Sequence, residues 1–302
     1  MEICATGSGF HNPVMLKEVI DYLDLKPGQT IVDATIGMGG HSQRILERIT
    51  PAGRLIGIDR DGESLGYAKD NLRIFNGSFD LVYSNFADID TVLKNLGITK
   101  IDGILFDLGL SSSQLCDPQR GFSFQMEGPL DMRLDRNSYI SAYDLVNNLN
   151  EDEISALLWN FGQERWHNRI ARAIVRERER RPISTTLELS DIVMKATPRG
   201  HRHYHIHPAT RTFQAVRIAV NRELEILETA LKKAADFLKP AARICVISFH
   251  SLEDRIVKFA FRELASEGLL EILTPKPLTP TLSEAKDNPS SRSAKLRVAK
   301  RI

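Results

Sequence analysis

The sequence predicts an α/β fold, a Rossmann-like and mostly parallel sheet interrupted by a helical insertion. Three observations predict it. Over the first third of the chain, near-continuous apolar runs alternate with amphipathic stretches, the pattern of strands covered on both faces by helices. A glycine-rich turn, Asp33-Ala-Thr-Ile-Gly37-Met-Gly39-Gly40-His41-Ser42, follows the first of those runs. The alternation then breaks between residues 113 and 212 and resumes beyond them.

Each element has its own justification. Val14 to Leu23 is amphipathic and stops before Pro27-Gly28. Thr30 to Ala34 is a short apolar strand, followed by the glycine turn and a helix from His41 to Ile49. Arg54 to Ile58 is a second strand, closed by Asp59. A helix over Glu63 to Asn71, a strand over Phe79 to Tyr83 and a helix over Ile89 to Leu96 come next. Ile101 to Leu108 is a fourth strand, nearly all apolar. Within the insertion, Asn150-Glu-Asp-Glu153 and Thr185-Thr-Leu-Glu188 have the form of capping boxes that start helices. From Phe213 to Leu238 apolar residues fall on one face of a single long helix, ended by Lys239-Pro240. Arg243 to Phe249, Leu269 to Leu273 and Lys295 to Ala299 complete seven strands, with a Pro-rich loop from Pro275 to Pro289 before the last. The expected domains are 1–112 with 213–302, and an inserted helical domain at 113–212.

Composition narrows the function classes. The chain has 302 residues and a formal net charge of +1, so any nucleic-acid surface must be a local patch. Gln163 to Arg181 holds seven Arg against three Glu, and Arg292 to Arg301 holds five basic residues and no acid. The three cysteines, Cys4, Cys116 and Cys245, form no CxxC pair, which argues against a disulfide framework or zinc site and suits a reducing compartment. No apolar run long enough to span a membrane and no signal peptide is visible, so a cytoplasmic location is expected.

The glycine turn and Asp59 carry the first chemistry. Glycine lets the backbone turn tightly and approach a ligand, and the following helix offers free N–H groups to an anion. Asp59, 22 residues beyond Gly37, ends the second strand, where a carboxylate accepts hydrogen bonds from the hydroxyls of a ribose. Together they read as a site for a nucleoside-bearing cofactor. A dinucleotide fingerprint wants Gly or Ala at the sixth position of its motif, where Ser42 stands here, the third small contact being displaced to Gly40. The carboxylate of S-adenosylmethionine makes a smaller demand than a pyrophosphate.

Asp107-Leu-Gly-Leu-Ser-Ser112 ends the fourth strand, beside the crevice where strand order reverses. Asp107 and Ser111 are the candidate catalytic residues. Their oxygens suit an exocyclic amine, whose delocalised lone pair needs orientation toward an electrophilic methyl. The alternative is that Asp107 caps a turn and Ser111 a helix.

These residues, together with His11-Asn-Pro-Val14, Ile58-Asp-Arg-Asp61, Arg120-Gly-Phe-Ser-Phe124, Gly128-Pro-Leu-Asp-Met-Arg133, the stretch from His207 to Arg217 and the stretch from Ser248 to Arg255, resemble the ribosomal RNA small subunit methyltransferase H family, also called MraW. The resemblance covers nearly the whole chain. It implies a class I S-adenosylmethionine-dependent methyltransferase fold, N4-methylation of a cytidine in the decoding region of 16S rRNA, and the 30S subunit as partner. It also points to a homodimer. Carried over by position, the cofactor contacts would be Gly39, Gly40, His41, Asp59, Phe86, Asp107 and Gln114, beside Gly37 of the turn.

For the RNA, Phe122 and Phe124 are candidates to stack an extruded base, with burial in the core as the alternative. Arg133, Arg211 and Arg217 are candidate phosphate contacts, and the Arg-rich helix extends that patch. His250 follows the fifth strand and either meets substrate or caps a helix. The cluster His201-Arg-His-Tyr-His-Ile-His207 is read as an RNA-facing or variable loop rather than a metal site, since no Cys or nearby acid completes a ligand set. An NAD-dependent oxidoreductase and a non-catalytic RNA-binding module remain as alternatives at this point.

Overall fold

The computed structural model describes residues 13–198, 200 and 207–302. Cys4, His11, Asn12 and His201 to Ile206 of the histidine cluster lie outside them. In chain order the first elements are α1 (Leu16–Leu23), β1 (Thr30–Asp33), α2 (Gly40–Ile49), β2 (Arg54–Asp59), α3 (Gly62–Asn71), β3 (Phe79–Tyr83), α4 (Ile89–Asn95) and β4 (Ile101–Asp107). Helices α5 (Ser112–Cys116), α6 (Ala142–Asn148), α7 (Glu151–Gly162), α8 (His167–Arg178), α9 (Thr186–Ala196), α10 (Ala209–Asn221) and α11 (Glu223–Phe237) follow. The chain closes with β5 (Leu238–Ser248), α12 (Ser251–Ser266), β6 (Leu270–Ile272), α13 (Leu282–Asp287) and β7 (Lys295–Arg301).

The strands form one seven-stranded sheet in the order β3-β2-β1-β4-β5-β7-β6. β1 to β5 pair in parallel, and β7 runs antiparallel to both β5 and β6. Alternate strand residues feed two apolar layers, as the period of a strand requires. Val32, Ile56 and Ile104 pack with α4, α11 and α12. Ile31, Leu55 and Leu105 pack with α1, α2 and α3. Strand order reverses between β1 and β4, which places the carboxyl ends of β1, β2 and β4 at the switch point.

The chain divides into two compact units, Met1–Gly109 with Leu224–Ile302, and Leu110–Glu223. The second is built on α5 to α10 around its own apolar cluster, with Leu158, Ile170, Leu189 and Phe213 at the centre. Capping boxes at Asn150 and Thr185 start α7 and α9 as the sequence predicts.

Several expectations are corrected. The long helix expected from Phe213 to Leu238 is two helices, broken at Arg222, whose φ is +50°. Asn221 pins that break. Its Nδ2 donates to the carbonyls of Met132 and Arg217, and its Oδ1 accepts the Leu134 N–H. Phe213 and Val216 of α10 pack in the helical unit's cluster, although the sequence reading grouped residues from 213 with the sheet. β5 starts at Leu238 rather than Arg243, because buried Leu238 pairs with Ile101 ahead of a register shift and Lys239 is drawn onto Asp102 at 2.8 Å. The Pro-rich loop contains α13, capped by Thr281. Cys245 is free and buried, and Cys4 lies outside the described residues.

Candidate active site

Three neighbouring parallel strands each end on an aspartate: Asp33 on β1, Asp59 on β2 and Asp107 on β4. Apolar strands carry these acids to one edge of the sheet, so three carboxyls meet where the backbone turns away.

Asp33 is fully buried. Its Oδ2 accepts the Ser42 hydroxyl at 2.7 Å and its Oδ1 the Thr35 N–H at 3.3 Å. Burial raises its pKa above the ordinary carboxylate range, and Asp107 nearby pushes the same way. Asp33 therefore ties the start of α2 to the end of β1.

Asp59 holds the glycine turn. Its Oδ2 accepts the Gly37 N–H and its Oδ1 the Asp61 N–H, both at 2.9 Å. Burial pushes its pKa up to about 6, with those two N–H groups working the other way. Gly37 and Gly39 have φ of +52° and +85°, a region that favours glycine. At Gly40 a Cβ would stand 2.7 Å from the Pro13 ring. Among the described residues no side chain caps the N-terminus of α2, which leaves its first N–H groups available to a ligand anion.

Asp107 is fixed through its backbone, whose N–H donates to Thr35 Oγ1 at 2.6 Å. Its Oδ2 lies 3.5 Å from Nε2 of His41, and its Oδ1 is buried without a hydrogen-bond partner. His41, only 5% exposed, has no hydrogen-bond partner on either ring nitrogen among the described residues. Phe86 is half-buried, its ring edge-on to Phe106 at 5.8 Å.

The site thus pairs open N–H groups and flexible glycines on one side with clustered carboxyls on the other. A ligand that carries a carboxylate, a ribose and a positive charge matches all three. A pyrophosphate would meet the aspartates with the wrong sign. The orphaned atoms of His41 and Asp107 are groups that a bound cofactor would satisfy.

Of the other sequence candidates, His250 follows the carboxyl end of β5, the strand paired with β4, and the rest belong to the helical unit. His250 caps α12. Its Nδ1 accepts the Glu253 N–H, and its Nε2 lies 3.1 Å from a Glu253 carboxylate oxygen. In the helical unit, Ser111 and Gln114 form a capping box on α5. Phe122 is buried in that unit's core. Phe124 is half-buried, stacked on His207 at 4.7 Å and edge-on to Phe213. Arg133 is spent on both oxygens of Asp131 and on the carbonyls of Arg136 and Ser138. Burial would raise the Asp131 pKa, but Arg133 holds it below the usual range. Arg217 makes a bidentate pair with Glu223. Arg211 is exposed and donates to the Gln163 carbonyl.

Sequence reasoning gave no role to Thr35 or to the Asp33–Ser42 pair. The available signal was a small hydroxyl residue two positions past the strand-ending acid, the distance of a local turn bond.

A family model described as the MraW methylase family matches residues 8–302. The ribosomal RNA small subunit methyltransferase H of Halothermothrix orenii is 46% identical over 307 residues, covering 97% of this chain and 98% of its own. The protein of the same name from Pelobacter propionicus is 49% identical over 312 residues, covering 98% and 100%.

Proposed function

Because the chain belongs to the MraW methylase family, we propose that it transfers the methyl group of S-adenosylmethionine to N4 of a cytidine in the decoding region of 16S rRNA. The observation that carries the reading is the three-aspartate edge facing the open N-terminus of α2. Its charge complements a sulfonium, and its uncapped N–H groups complement the methionine carboxylate.

In this reading the N–H groups of Gly40 and His41 at the start of α2 would hold the cofactor's carboxylate end, with Gly37 and Gly39 shaping the turn that lets it approach. Asp59 takes the ribose hydroxyls, and Phe86 offers its ring to the adenine. The cofactor supplies an electrophilic methyl. Asp107 accepts a hydrogen bond from the cytosine amine and orients its lone pair for in-line attack. As N4 took the methyl group from the cofactor's sulfur, Asp107 or water would accept the proton that the amine loses. The main contribution of Asp107 is positioning. The Ser111 capping box defines the start of the helix just beyond the Asp107 turn.

No observation favours the oxidoreductase alternative. The deciding experiment is transfer of labelled methyl to 30S subunits from a strain lacking this protein, with nucleoside mass spectrometry of the product. N4-methylcytidine at one decoding-region position is expected. Label on another base, or none on RNA, would sink the reading.

A further inference from the structure

We propose that the exposed face of α8, together with Trp159 of α7, is an RNA-docking surface for a single-stranded stretch of the rRNA. This rests on the rRNA reading above and names the surface that reads the backbone rather than the target base.

The placement follows from helix geometry. Ile170, Ala171 and Ile174 are buried in the helical unit's core. At 3.6 residues per turn, Arg169, Arg172 and Arg176 fall on the opposite face, spread over about 10 Å. Arg165 precedes the helix and adds a fourth guanidinium. Arg165 and Arg169 lie over the Trp166 ring at 5.2 and 5.9 Å, and among the described residues neither is paired with a carboxylate. Arg172 and Arg176 have acidic neighbours, Glu151 at 3.2 Å and Glu177 at 3.5 Å, but their side chains are 75% and 69% exposed. Such exposed pairs are weak and yield readily to a phosphate.

Trp159 adds the aromatic half. It is 56% exposed, and its ring lies 5.2 Å from that of His167, the first residue of α8. Ser155 Oγ holds His167 Nδ1 at 2.7 Å, so the imidazole is a fixed support for the indole. A row of guanidiniums beside an open indole is the combination that binds single-stranded nucleic acid: charge tracks the backbone and the ring stacks a base. The contrast within the unit is informative. Arg133 and Arg217 are consumed by bidentate internal pairs, whereas Arg169, Arg172 and Arg176 of α8 are exposed. In a chain whose net charge is +1, this stripe is a local positive field.

The test is binding of a fluorescently labelled 16S rRNA fragment spanning the decoding region, titrated across a KCl series with the full chain. For an Arg169→Gln/Arg172→Gln/Arg176→Gln variant, the slope of log K against log salt should shrink by about 2 to 3. Trp159→Ala should weaken binding roughly tenfold with the slope unchanged. Both should raise KM for RNA while leaving kcat and the affinity for S-adenosylmethionine at wild-type values. If the triple variant melts early, Arg169→Gln alone, with an expected slope change of about 1, decides. Wild-type slope and affinity in these variants would overturn the proposal. So would intact binding to naked RNA with lost binding to 30S particles, which would make the face a ribosomal-protein contact. Should the wild-type chain itself neither bind nor methylate rRNA, the functional reading falls and this surface with it.

Discussion

Nε2 of His41 lies 3.5 Å from Oδ2 of Asp107, and among the described residues neither nitrogen of that buried imidazole has a hydrogen-bond partner. The contact is too long for a good hydrogen bond. A buried polar ring left unpaired costs about 1–3 kcal/mol. The free protein therefore holds its binding edge at some expense of stability. In His41→Leu the apolar side chain removes that cost, so the ligand-free protein should melt at the same temperature or higher, by about 1 kcal/mol of stability. Its affinity for S-adenosylmethionine should nevertheless fall. Calorimetric melting and titration on the same preparation check both halves, and a destabilised variant with intact affinity would contradict the assignment.

Asp59 makes cofactor binding pH-dependent. Its pKa is raised from 3.8 to about 6, mainly by burial. In the free protein the neutral carboxyl is thus favoured relative to the unfolded chain. That contribution to stability is fully present below 3.8 and is lost as pH rises through about 6. Ribose hydroxyls donate best to the ionised form. Affinity for S-adenosylmethionine should therefore rise about tenfold between pH 5 and 7. In Asp59→Asn that rise should vanish and affinity should be low throughout. Isothermal titration at several pH values measures it, and a flat wild-type profile would count against Asp59 as the ribose ligand.

Asp107→Ala separates chemistry from binding. The carboxylate orients the amine for in-line attack, so without it kcat should fall about 100-fold or more. RNA affinity should change little. Single-turnover methylation alongside an RNA-binding titration reads the two separately. Activity near wild type would remove Asp107 from the mechanism.

The legible parts of the fold were those set by local periodicity. β1 to β4 and their helices follow from apolar runs and turn residues, and the limits of β3 agree with the expected Phe79 to Tyr83. The break at Arg222 was not legible, because the apolar stripe runs on through it. What ends the helix is Asn221 reaching back to Met132 and Leu134, about ninety positions earlier. The early start of β5 was hidden by Pro240, which normally argues against a strand. The position of Asp59 and Asp107 at the ends of β2 and β4 was legible, because a strand-ending acid is a local signal. Whether a particular Arg is free or internally paired depends on contacts that spacing does not encode, as the spent guanidiniums of Arg133 and Arg217 illustrate.

Thr35 is the residue whose role only the structure reveals, and it yields the sharpest positioning test. Its Oγ1 accepts the Asp107 N–H at 2.6 Å and so links the end of β4 to the turn after β1. Thr35→Val keeps the shape and removes the acceptor, which leaves that N–H unpaired at a cost of about 1–3 kcal/mol. The expected result is a lower melting temperature and a reduced kcat, with KM for RNA unchanged. Thr35→Ser retains the oxygen and should recover most of the kcat. A Val variant as active as the wild type would mean that Asp107 is held in place by the sheet alone. Failure of Ser to rescue would mean that the hydroxyl alone is not sufficient and that the Thr35 methyl group is also needed to hold it in place.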